Sequence, residues 1–149
     1  MKTGKEIKIN TFKDINVVFG TINNKNSKAV FVNISSWLDP KNDDDINYSK
    51  VIKDLNKKIK QTIFDYFYYL NDSSLLYDRT IVDLDIRESG VKFGKKSFMN
   101  CEITLFLNNE TPVNTPLMQE KLFVVCEIIT KEIFEKNKYF SFNKRKKIK

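Results

Sequence analysis

The sequence predicts an α+β fold: a two-layer sandwich with two long helices on one face of a mostly antiparallel sheet. Two pairs of strand-patterned segments each lead into a segment of helical periodicity, giving the order β-β-α-β-β-α. The first strand pair is joined by a polar turn and the second by a glycine-containing one, as hairpins require. A further strand can be placed at each end of the chain.

Residues 15–22 and 29–38 are the first strand pair, joined by the polar turn Asn23 to Ser27. Asp39-Pro40 ends the second strand, and Asp43, Asp44 and Asp45 suit the positive end of a helix starting close by. Apolar residues then recur at Tyr48, Val51, Ile52, Leu55, Ile59, Ile63, Tyr66, Phe67 and Leu70, the stripe of an amphipathic helix. Lys50, Lys53, Lys57, Lys58 and Lys60 fall on its solvated side, and Asn71 to Ser74 stops it.

Residues 79–88 alternate, with Thr80, Val82, Leu84 and Ile86 on one face and Arg79, Ile81, Asp83, Asp85 and Arg87 on the other. Residues 96–107 match them, and this hairpin is expected at the centre of the sheet. Thr115 is placed as N-cap and Pro116 as first residue of a second helix running to about Lys136. Tyr139, Phe140 and Phe142 suggest a short edge strand.

At 149 residues with 41% apolar content and twelve Phe, the chain can bury a core as one domain, taken as residues 1–137. Residues 138–149 form a basic arm: six basic side chains and no acid. The other 20 basic residues meet all 19 acids in residues 1–137, so the domain carries only +1. Basic residues are 23 Lys and three Arg, and Asn is abundant at 16, a bias that A/T-rich codons produce in low-GC bacterial or viral genomes. With so few guanidinium forks, sequence-specific DNA reading is not expected. No segment approaches the ~18 apolar residues of a membrane span, and the first residues lack the apolar run of a secretory leader. The expected location is cytoplasmic or within a virion.

Histidine is absent, which excludes Ser-His-Asp and Cys-His catalysis within the chain. Cys101 and Cys126, without His, cannot close a zinc site and are expected as reduced core thiols. No cofactor, metal or small-molecule ligand is expected. The turn from Gly90 to Ser97 has three residues between its glycines where a phosphate-binding loop needs four, and a strand follows it instead of a helix. The weak metal candidate is Asp83, Asp85 and Glu102 on one sheet face, where Arg79 and Arg87 offer charge pairing as the simpler account.

That face also carries Phe31, Trp37, Phe98 and Phe106, either covered by another subunit or by the terminal segments, the preferred reading, or as a stacking platform beside Lys92, Lys95 and Lys96. Candidate nucleic-acid contacts are Lys95, Lys96, Lys144, Arg145, Lys146, Lys147 and Lys149.

From Cys101 to Phe134, a strand ending Leu105-Phe106-Leu107 leads through the polar linker Asn108 to Pro116 into an amphipathic helix. This pattern resembles the neck and tail-completion ring proteins of tailed phages. The resemblance implies a non-enzymatic subunit assembling into a ring around a DNA channel. The N-terminal half departs from it by opening with strands. The expectation is a structural or assembly protein, a homo-oligomer or a partner of other structural subunits, with non-specific DNA contact through the arm. The alternative is a small nucleic-acid-binding accessory protein.

Overall fold

Alternating apolar residues build one continuous sheet against two helices. The computed structural model describes residues 2–8, 16–23, 28–40, 47–88 and 97–142. Strands β1 (Lys2–Lys8), β2 (Asn16–Asn23) and β3 (Lys28–Pro40) form an antiparallel meander. Helix α1 (Tyr48–Tyr69) leads through a 3₁₀ turn at Tyr77–Arg79 to β4 (Ile81–Glu88) and β5 (Ser97–Leu107). Helix α2 (Pro116–Ile129), a π turn at Thr130–Phe134 and β6 (Phe140–Phe142) complete the described chain.

The sheet order is β1-β2-β3-β5-β4, and every pairing is antiparallel. β3 and β5 occupy its centre and β4 its edge, which corrects the expectation that 79–88 and 96–107 together form the middle. The cause is the length of β3. Its 13 residues pair with β2 along one side and with β5 along the other, from Lys28 opposite Leu107 to Leu38 opposite Ser97. Leu38 also pairs with Phe142, so β6 takes the side of β3 that β2 leaves after Ser35. The sheet thus includes residues beyond 137.

One sheet face and the two helices enclose the core. Val30, Val32 and Ile34 of β3 and Met99, Cys101, Ile103, Leu105 and Leu107 of β5 point into it with Leu84 and Ile86 of β4. Val51, Leu55, Ile59, Ile63 and Phe67 of α1 and Met118, Leu122, Val125, Cys126 and Ile129 of α2 close it from above. Each large aliphatic buried there contributes about 1.5–3 kcal/mol of transfer free energy.

The helix ends are set by local chemistry. Asn47 caps α1 by accepting from the Lys50 N–H at 3.2 Å. Its far end closes in a Schellman motif: Asn71 takes a left-handed φ of 53°, its N–H donates to Tyr68 O and that of Asp72 to Phe67 O, both at 3.0 Å. Thr115 caps α2 by accepting from the Met118 N–H at 3.2 Å, with Pro116 in the first turn.

The second helix does not run unbroken to Lys136. Thr130 Oγ1 donates to Cys126 O at 2.8 Å, and the Glu135 N–H reaches back five residues to Thr130 O at 2.8 Å. The widened turn keeps Ile133 and Phe134 both buried, which a straight 3.6-residue period does less well. No helix among the described residues is long and apolar enough to cross a membrane.

Candidate functional site

The face of the sheet turned away from the helices carries the predicted aromatics, and the structure divides them. Phe31 lies opposite Gly20 on β2, itself opposite Gly4 on β1, and opposite Thr104 on β5. The glycine leaves room for the ring, and Phe31 is only 6% exposed. Phe106 is half-buried, with the Arg79 guanidinium 4.4 Å from its ring centroid. Arg79 is held there by the loop before β4: the Leu76 N–H donates to Phe106 O at 2.8 Å and the Asn108 N–H to Ser74 O at 2.9 Å. Phe31 is buried and Phe106 lies under Arg79, so neither presents an open stacking surface.

Trp37 and Phe98 differ. They are a direct cross-strand pair of β3 and β5, edge to face with centroids 5.1 Å apart, and each is 38% exposed. Six residues of β3, about 20 Å, separate Trp37 from Phe31. Around the exposed pair the face is polar: Asn100 lies opposite Ser35 and Asp85, and Arg87 opposite Phe98.

The carboxylates on this face do not gather around a common point. Asp83 is directly opposite Glu102, whereas Asp85 is opposite Asn100 and accepts from Arg87 Nε at 2.6 Å on its own strand. Arg79 serves Phe106 instead of an acid, so only one of the two expected arginines neutralises a β4 carboxylate through a described ion pair. Among the described residues no group of three or more His, Cys, Asp or Glu is placed to hold a metal ion.

Both thiols are buried and unpaired as disulfides. Burial pushes the Cys101 thiol up to about 12, helped by the negative charges of Asp83 and Glu102. Burial likewise holds the Cys126 thiol well above its ordinary value. Raised in this way, both thiols favour the protonated, weakly nucleophilic form.

A second surface feature escaped the sequence reading. A cleft of about 480 Å³ opens where the end of α1 meets the β5–α2 loop. Its wall holds an ion pair between Lys121 and Asp72, both largely buried. Burial alone would raise the Asp72 carboxyl, but hydrogen bonds from Lys121 and from the Ser74 hydroxyl and N–H, with the Lys121 charge, hold it below its usual range. Leu70 and Leu117 form an apolar rim, Leu117 being 62% exposed, and Tyr68 and Tyr69 project from α1 nearby in sequence. The tyrosines fall off the apolar stripe of α1, so helical periodicity alone marks them as exposed. The Asp72–Lys121 contact joins distant segments, and no local pattern announces it.

Lys95, Lys96, Lys144, Arg145, Lys146, Lys147 and Lys149 lie outside the described residues, as do Lys92, Asp43, Asp44, Asp45 and the glycine turn from Gly90 to Lys96. No family model, curated protein or solved structure matches this chain.

Proposed function

We propose that the chain is a non-enzymatic assembly subunit that binds a neighbouring protein through the outer face of its sheet. The Trp37–Phe98 pair carries this reading. Large aromatics fixed edge to face on rigid central strands, yet over a third exposed, suit the anchor of a protein interface. Catalysis has less to work with: the chain lacks histidine and both thiols are held protonated in the core. A ring subunit near DNA is the form of assembly that the pattern in residues 101–134 implies, with the basic arm facing the nucleic acid.

Exposed rings also suit base stacking, which keeps nucleic-acid binding as the second reading. The surrounding face disfavours it, because Asp83, Asp85 and Glu102 share that face and repel phosphate.

Trp37 is the only tryptophan in the chain, so its fluorescence reports directly on this surface. Light scattering is expected to show a defined oligomer or complex, with the Trp37 emission blue-shifted and shielded from acrylamide as it forms. Trp37→Ser is expected to weaken association by about 30-fold, the loss of a ~2 kcal/mol anchor. A strict monomer at high concentration, with Trp37 freely quenched and no partner bound, overturns the reading. Quenching by a single-stranded oligonucleotide instead selects the second one.

A further inference from the structure

We propose that two copies of this chain pair β4 with β4 in antiparallel fashion about a two-fold axis at Asp85, continuing one sheet through both. This rests on the assembly reading and names the partner as a second copy.

Among the described residues no strand pairs with the outer side of β4. A regular strand at a sheet edge presents unpaired N–H and C=O groups that a further strand completes. Its charges then select the register. On the outer face β4 offers Ile81, Asp83, Asp85 and Arg87 in turn. A two-fold axis at Leu84 sets Asp83 opposite Asp85 of the second copy, twice, and is repulsive. An axis at Ile86 sets Asp85 opposite Arg87, twice, but these two already pair within each strand, and Asp83 is left facing Glu102 with no cation opposite. An axis at Asp85 sets Asp83 opposite Arg87 of the second copy, twice, and Leu84 opposite Ile86, also twice.

That register supplies Asp83 with a cation. Asp83 lies directly opposite the Glu102 carboxylate and has no ion-pair partner among the described residues. Arg87 already donates to Asp85 of its own strand at 2.6 Å. In the dimer its guanidinium bridges Asp85 and Asp83 of the second copy, so the facing Asp85 pair at the axis is also neutralised.

Complementary charge across a self-paired strand is what an isologous interface requires.

Sedimentation equilibrium on the full chain is expected to show a dimer. Asp83→Arg and Arg87→Asp should each raise its Kd about tenfold or more, and the two together should restore it to within about threefold, because the swap recreates both cross-pairs. Asp85→Cys should give a covalent dimer on mild oxidation, since position 85 faces itself, and Ile81→Cys should not. Circular dichroism of each variant separates loss of pairing from loss of fold. A monomeric native chain, a double variant no better than the singles, or equal cross-linking at 81 and 85 overturns the proposal. Trp37→Ser should leave this dimer intact. A β4 dimer whose Trp37 contacts nothing overturns only the outer-face reading, and a Trp37-dependent assembly insensitive to Asp83→Arg overturns only this one.

Discussion

Asp72 and Lys121 stand 49 residues apart in the chain and tie the end of α1 to the first turns of α2. Both are largely buried, so removing one partner strands the other's charge. Lys121→Met is expected to cost about 1–3 kcal/mol at pH 7 in urea unfolding, within the range for hydrogen bonds to charged groups. The pH dependence has a definite sign. Asp72 titrates lower in the folded chain than in the unfolded one, so its contribution is complete above the unfolded carboxylate value of about 3.9 and is lost as pH falls through the folded value. The native and Lys121→Met stability curves should therefore differ at neutral pH and converge in acid. Asn56 is the opposite kind of residue: its Oδ1 is buried with no donor among the described residues.

The helix boundaries follow from single residues. Asn71 alone among non-glycine described residues takes a positive φ, so a Cβ without a compensating polar group is penalised there. Asn71→Ala should destabilise by about 1 kcal/mol in thermal or urea unfolding, whereas Asn71→Gly should be neutral or slightly stabilising. These stops and starts were legible in the sequence because Asn71 and Thr115-Pro116 act on their own neighbours. The alternation of Leu84 and Ile86 with Asp83 and Asp85 was equally local, and it placed both faces of β4 correctly. Strand order was not legible, since alternation shows which face a strand buries and not which strand lies beside it. The π turn was hidden because its one marker, the bond from the Glu135 N–H to Thr130 O, leaves no trace in the spacing of apolar residues. β1 has only Ile7 as a large apolar residue and owes its strand to pairing with β2. At the candidate site, sequence placed Phe31, Trp37, Phe98 and Phe106 on one face. Which of them stay open depends on contacts from elsewhere in the chain, such as that of Arg79 on Phe106.

For the molecule as a whole, charge is unevenly distributed. Residues 143–149 carry five of the basic side chains, and deleting them lowers the net charge from +7 to +2. If the chain touches nucleic acid through about five phosphates, log K should fall with log salt at a slope near −3.5 to −4.5, and this deletion should abolish most of that slope. Salt-independent binding by the full chain would remove the arm from consideration. The pairing of β6 with β3 bears on how that arm works. Phe142 pairs with Leu38, the residue following Trp37, so the seven residues beyond it extend no more than about 25 Å from that anchor beside the exposed aromatic pair. Any surface held at Trp37 and Phe98 therefore meets the lysines at the high local concentration of a short leash, in the millimolar range. Two individually weak contacts become one avid grip, and only for partners that place an apolar pocket and an acidic patch within that radius.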